Sequence, residues 1–146
     1  MHRHSSLLPY SVRIVRWQEA QEQLREIREQ VFIAEQQVPA ALEWDGLDEN
    51  ATHVLALDQQ ARAIGCARIL PDGVIGRMAV VRDLRNKGVG KAILKKAIAY
   101  CREQGWNGIS LSAQTHAIPF YERAGFVVCS EIYLDAGIPH RDMRLT

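Results

Sequence analysis

The stretch RNKGVGK, Arg85 to Lys91, does most to restrict the fold. It joins an apolar run, VIGRMAVV, to sixteen residues of helical periodicity, VGKAILKKAIAYCREQ. A strand that turns through glycines into a helix points several free N–H groups at one spot, where the positive end of the helix dipole also acts. Gly88 and Gly90 lack the Cβ that would keep anion oxygens off the main chain, and Arg85, Lys87 and Lys91 add positive charge. The joint is therefore a site for an anion, and its spacing excludes two common versions. A P-loop needs Gly five residues before its Gly-Lys pair and Ser or Thr after the lysine, places held here by Arg85 and Ala92. A dinucleotide turn needs a third glycine where Ile93 stands.

The flanking pattern places this joint inside one sheet. SVRIVRW alternates, which predicts a strand at 11–16; residues 18–34 put Leu24, Ile27, Val31 and either Ile33 or Ala34 on one helical face. EQQVPAALEWDGLDENAT reads as a long loop with room for one helical turn. HVLALD and ARAIGCARIL form a hairpin, PDG turns the chain, and strand 74–81 leads through the joint into a helix at 88–104. GISLSA (108–113) is a strand, IPFYERA a short helix closed by Gly125, FVVCSEIYL a strand, and a last strand falls near 140–145. The order argues a single mixed α/β domain over 11–146, preceded by a flexible tail at 1–10.

A chain of 146 residues buries about 70% of its unfolded surface, enough for one unstapled domain. A formal net charge of +1 gives no general affinity for nucleic acid or anionic membrane, so any anion must be met locally. Cys66, Cys101 and Cys129 lie far apart in apolar patterns, which indicates neither a disulfide framework nor a metal site and fits a reducing cytoplasm. MHRHSSLLPY is too poor in apolar residues for a signal peptide, and no run reaches a membrane span of about 20. His2 and His4, without a carboxylate or cysteine beside them, read as part of a frayed tail.

A second motif, AQTHAIPFYERAGF (113–126), combines a short strand, a turn, a one-turn helix carrying Tyr121 and a Gly-Phe entry into another strand. Taken with the Arg-x-x-Gly-x-Gly pattern of the joint, it resembles the GNAT superfamily of N-acetyltransferases. FIAEQQVP, DGLDENATHVLAL, ARIL, IGRMAV, LSAQTHAIPFYERAGF and DAGIPHRDM together look like its bacterial ElaA-like or YjcF-like branch, over about residues 11–145. The resemblance implies a mostly antiparallel central sheet of about six to seven strands flanked by helices. It implies acetyl-coenzyme A as donor, without a metal. It places the cofactor on Met78, Ala79 and Val80 at the strand end and on Arg85, Asn86, Lys87, Gly88, Val89, Gly90 and Lys91 at the joint. Tyr121 takes the place of the residue that protonates the departing thiolate, and Val80 that of the N–H facing the thioester oxygen. Gln114 stands where many relatives carry a cofactor-binding Asn, and Pro119 also departs from the commonest pattern.

The implied reaction is direct attack of an amine on the thioester. A Tyr of ordinary pKa giving its proton to a thiolate faces about 2 kcal/mol uphill, which calls for a pre-formed hydrogen bond or a lowered Tyr pKa. Neutralising a lysine acceptor at pH 7 costs about 4.6 kcal/mol, and an α-amine about 1 kcal/mol. Candidate bases are Glu35, Asp45, His53 and His116, and candidate acceptor contacts are Glu35, Gln36, His53, Arg68 and His140. Each has a plain counterpart: Tyr121 as a core aromatic with its hydroxyl at the rim, Glu35 as a solvated helix end, His53 as a sheet-end histidine, His140 as a turn residue. Arg68 either meets an acidic acceptor or forms the polar face of its strand. Two functions compete: an acetyltransferase acting on a small-molecule or peptide amine, and a non-catalytic acyl-coenzyme A sensor. Nucleic-acid binding has only Arg85, Lys87, Lys91, Lys95 and Lys96 in its favour, with no aromatic platform. The oligomeric state is open, a homodimer being one option.

Overall fold

The structure, a computed structural model, describes residues 9–145. Of the expected tail, residues 1–8 lie outside the described residues, His2 and His4 among them, while Tyr10 already opens strand β1 (Tyr10–Arg16). Helix α1 (Trp17–Arg28) follows at once. Its start is fixed by Glu19, whose carboxylate accepts the Arg16 N–H at 2.7 Å, the return arm of a capping box. Trp17, Ala20, Leu24 and Ile27 form its buried stripe. Beyond Val31 the apolar period fails, because the next place on the stripe is Glu35. The chain widens there into a π-helical turn over Glu29–Glu35, with the Gln36 N–H donating to the Val31 carbonyl at 3.0 Å. The single helix expected over 18–34 is thus corrected: it is α-helical to Arg28 and π-helical beyond. The wider turn keeps Val31 and Phe32 in the core and ends the helix with Glu35 and Gln36 half-buried.

The long loop carries one turn of helix, α2 (Ala40–Glu43). Strands β2 (Thr52–Asp58), β3 (Ala63–Leu70) and β4 (Val74–Val80) continue antiparallel from β1. Asp58 shapes the hairpin by accepting the Gln60 and Arg62 N–H groups at 2.9 and 2.8 Å. Helix α3 (Val89–Glu103) then crosses over, and β5 (Ser110–Gln114) returns parallel to β4. Helix α4 (Ile118–Glu122), β6 (Phe126–Val128), β7 (Tyr133–Asp135) and β8 (Ile138–Leu145) complete the chain. The order is β1-β2-β3-β4-β5-β8-β6, with β7 also paired to β8, making eight strands rather than six or seven. The extra one arises because the strand expected over FVVCSEIYL is split. β6 and β7 share one edge of β8, and between them the Ser130 hydroxyl accepts the Asp142 N–H at 2.8 Å in place of a ladder carbonyl.

The two helical layers divide by strand alternation. Gly65 faces α3 so closely that a Cβ there would lie 2.6 Å from Ile93 Cδ1 and 3.1 Å from the Ala79 carbonyl oxygen. Arg68, three residues on and therefore on the other face, reaches Asp48, which Arg28 of α1 also binds. Helix α4 joins the α3 side: Tyr121 packs on Phe126 at 6.1 Å between ring centres, on the face of β8 that carries Met143.

Candidate active site

Strands β4 and β5 pair only at Val74–Ser110 and Ile75–Leu111. Past those pairs they part, leaving a gap at the C-terminal ends of two parallel strands, the place where open α/β sheets bind ligands. A bulge bends β4 into this shape. Cys66 opposes Ala79 and Arg68 opposes Gly76, so β4 carries one extra residue, and Arg77 within it has φ 47°. The Val81 N–H donates to the Ile64 carbonyl at 3.0 Å; alternation then turns the Val80 N–H away from β3 and into the gap.

The loop after β4 delivers a helix start to the same place. Gly88, at φ 89°, is the N-cap of α3 and offers no side-chain cap, and Asn86 is also left-handed at φ 63°. The Ala92 N–H is satisfied by the Gly88 carbonyl at 3.1 Å, while those of Val89, Gly90 and Lys91 precede any helical acceptor. Gly90 lies against the end of β4 and α4: a Cβ there would come within 3.4 Å of Phe120 and 3.6 Å of Val80. Lys87 and Lys91 are exposed beside the open N–H groups.

Glu35 and Gln36 brace the gap from the α1 side. The Arg85 guanidinium forks onto Glu35 at 2.6 and 2.8 Å, and its Nε donates to the Val80 carbonyl at 2.9 Å. Gln114 Nε2 donates to Gln36 Oε1 at 2.9 Å, tying the end of β5 to the π-helical turn. The fork has two consequences for the expected roles. Arg85 directs its charge onto Glu35, and the fork holds the Glu35 carboxyl below the usual range, with Arg82 at 3.4 Å assisting. A depressed carboxylate with its lone pairs engaged is a poor base.

Tyr121 enters from α4, its hydroxyl 3.7 Å from Met78 Sδ on β4 and its ring edge-on to Phe120 and Phe126. Burial pushes its phenol up to about 12, so the lowered pKa that would ease proton donation is not there. Met78, Val80, Gly90 and Tyr121 thus meet on the α3/α4 side of the gap. Gln36, Gln114 and His140 lie on the other side, His140 being paired to Gln114 across β5 and β8. His140 is buried, its Nδ1 2.7 Å from the Ile138 carbonyl and its ring stacked on Tyr133.

The remaining expected residues belong elsewhere. His53 is buried, 3.0 Å from the Asp48 carbonyl and against Trp17, with its pKa lowered by burial. Arg68 is neither a free receptor for an acidic acceptor nor an exposed strand residue: it forks onto Asp45 at 2.8 and 2.9 Å and is buried. For Asp45, burial is outweighed by that fork, the Leu47 N–H and Arg77, and its carboxyl falls to about 2. It is no base at neutral pH. His116 is exposed in the turn before α4. What sequence reading missed is the ionic cluster that gathers these groups. Arg28 donates to Glu43 at 2.7 Å and to Asp48 at 2.6 Å, and Arg77 reaches from the β4 bulge to Glu43 and Asp45, both at 3.2 Å. One signal was available: Arg28 sits four residues after Leu24, on the buried stripe, ahead of a loop rich in acids.

Comparison with known proteins agrees with this fold. A family model for the acetyltransferase (GNAT) domain matches residues 16–146. N-acetyltransferase YjcF of Bacillus subtilis is 39% identical over 130 residues, spanning 84% of this chain and 92% of that protein. The crystal structure of Escherichia coli ElaA superposes with a TM-score of 0.84 at 29% identity, covering 93% of this chain and 99% of that one. An acyl-CoA N-acyltransferase from Pseudomonas aeruginosa superposes with a TM-score of 0.83 at 29% identity, covering 94% and 99%.

Proposed function

Because the chain belongs to the GNAT acetyltransferase family, alongside YjcF and ElaA, we propose that it moves an acetyl group from acetyl-coenzyme A to a primary amine by direct attack in the β4/β5 gap. One observation supports this most: the Val80 N–H, the uncapped first turn of α3 and the Tyr121 hydroxyl all come to that gap. The donor set suits a pyrophosphate. Gly88, with open space where a Cβ would stand, leaves the helix start bare, and Lys87 and Lys91 supply charge that Arg85 does not. In this reading Asn86, Lys87, Gly88, Val89, Gly90 and Lys91 hold the pyrophosphate. The edge of β4 at Met78, Ala79 and Val80 receives the pantetheine arm as an added strand, with Gln114 across the gap. Arg85 acts through Val80, whose carbonyl it fixes.

The Val80 N–H polarises the thioester carbonyl, a donor aimed where negative charge grows. Tyr121 then gives its proton to the thiolate. Against a free thiolate of pKa about 8.5, a phenol near 12 faces about 5 kcal/mol. The same burial raises the thiol, so the difference inside the pocket is smaller. Glu35 serves as a positioning residue that locks α1 to the cofactor loop, and Gln36 and His140 line the side from which an amine arrives. His53 and Arg68 shape that side from beneath, through Asp48 and Asp45.

Two measurements test the reading. Acetyl-coenzyme A at about 100 times its dissociation constant should raise stability by about 2.7 kcal/mol in a thermal melt. Coenzyme A release with an amine panel should fall at least about a hundredfold in Tyr121→Phe while the melt shift persists. A melt indifferent to saturating acetyl-coenzyme A overturns the function, and full-rate release from Tyr121→Phe removes Tyr121 from the chemistry.

A further inference from the structure

The sheet face on the far side of the gap from Tyr121 is polar and uncovered over β5 and β8. Register sets it out in rows: Gln114 beside His140, Ser112 beside Asp142, Ser110 beside Arg144. Ser112 is the first β5 residue on this face past the last β4 pair, so it borders the gap itself. Its hydroxyl bonds the Tyr133 hydroxyl, which donates to Asp142 Oδ1 at 2.5 Å. Since the Tyr133 proton is committed to Asp142, the serine proton points at the tyrosine oxygen. The serine oxygen keeps a free lone pair. Ser112, Asp142, Ser110, Arg144, Val74 and Cys129 line one open cleft. Asp142 and Arg144 have no ion-pair partner among the described residues. They stand two residues apart on one strand, about 7 Å between Cα atoms. The other charged or titratable groups on this face are Tyr133 and Asp135 of β7, Cys129, and His140.

The geometry points to this cleft as the acceptor subsite, taking a small primary amine that carries a carboxylate or phosphate: the amine at Ser112, with Asp142 at the end of its proton path, and the anionic group on Arg144. The inference rests on the acetyltransferase reading above. An amine approaches from this face because α3 and α4 lie on the opposite one, Gly90 of α3 against Val80 and Tyr121 of α4 against Met78. As nitrogen bonds the acetyl carbon, its proton passes to Ser112 Oγ, the Ser112 proton to the Tyr133 oxygen, and the Tyr133 proton to Asp142. The C–S bond breaks and the sulfur takes the Tyr121 proton. Solvent exchange then restores Asp142 and Tyr121. An unpaired arginine at one end of the cleft favours an anionic substituent over an uncharged one.

The test measures coenzyme A release by the full chain with acetyl-coenzyme A and three acceptor sets: amino acids with aminoalkyl phosphonates, uncharged amino alcohols, and diamines. Anionic amines should exceed uncharged ones in kcat/KM by at least about tenfold, and Arg144→Gln should cut that ratio by about ten- to a hundredfold. Asp142→Asn and Tyr133→Phe should each lower kcat at least about tenfold with the KM for acetyl-coenzyme A unmoved, and Asp142→Glu should recover part of the loss. These side chains are exposed, and a wild-type melting temperature verifies that each variant folds. No preference for anionic amines, an Arg144→Gln enzyme with the wild-type ratio, or wild-type kcat in Asp142→Asn and Tyr133→Phe overturns the subsite. An acetyl-coenzyme A melt shift without turnover of any anionic amine also overturns it while leaving cofactor binding intact. Absence of the melt shift itself counts against the underlying function.

Discussion

Replacing Arg28 by Met keeps the length of the side chain and removes the charge that holds the α2 segment to α1. Arg28 is 1% exposed and makes three hydrogen bonds, to the Glu43 carboxylate, the Asp48 carboxylate and the Glu43 carbonyl. Breaking a buried pair from one side typically costs about 3–5 kcal/mol, because the partner charge stays buried. Here each carboxylate keeps a second arginine at 3.2 Å, Arg77 for Glu43 and Arg68 for Asp48. The lower end, about 3 kcal/mol, is therefore expected. With an unfolding entropy of about 2.1 cal/mol/K per residue over 146 residues, that is a fall in Tm of about 10 °C. The pH dependence has a definite sign. Burial raises the Glu43 carboxyl against the pull of Arg28, Arg77 and Arg68, and removing Arg28 raises it further. Below its unfolded pKa of about 4.3 the carboxyl is protonated in both states and the missing arginine matters least for Glu43; above the raised folded pKa the deficit is complete. Melts of wild type and variant at pH 7 and pH 5 measure both effects. A fall under about 3 °C at pH 7, or a deficit that grows on acidification, refutes the reasoning.

Other outcomes follow from the site. Gly88→Val puts a β-branched residue at φ 89° and should weaken acetyl-coenzyme A binding at least about tenfold by isothermal titration, with a stability loss of about 1–2 kcal/mol. Glu35→Gln loosens the Arg85 fork, so the KM for acetyl-coenzyme A should rise several-fold while kcat falls less than about tenfold; a drop beyond about a hundredfold in kcat would restore Glu35 as the base. Tyr121, near 12, stays protonated across the working range, so the rate should show no alkaline fall from this group up to about pH 10, which a pH-rate profile checks.

Much of this arrangement was legible in the chain. Periods of two and of three to four mark most strands and helices, and RNKGVGK gives away the glycine turn into α3 because backbone conformation there is carried by glycine, which spacing records directly. Three features were not legible, for separate physical reasons. The π-helical turn at Glu29–Glu35 shows in sequence only as an ambiguous period between Ile33 and Ala34, since one wide turn shifts the stripe by a single residue. The break between β6 and β7 depends on the Ser130 hydroxyl replacing a carbonyl, which no alternation pattern encodes. The roles of Glu35, Arg68 and Asp45 turn on partners 50 and 23 residues away, Arg85 for the first and each other for the second and third. A charged residue read alone looks available; paired, it is a brace.

A crystal structure of the protein with coenzyme A tests the central claim most directly. The account predicts the pyrophosphate on the N–H groups of Gly88 to Lys91, the pantetheine arm along Met78 to Val80, and the sulfur beside the Tyr121 hydroxyl. Coenzyme A bound away from the β4/β5 gap, or bound there with its sulfur remote from Tyr121, would contradict it.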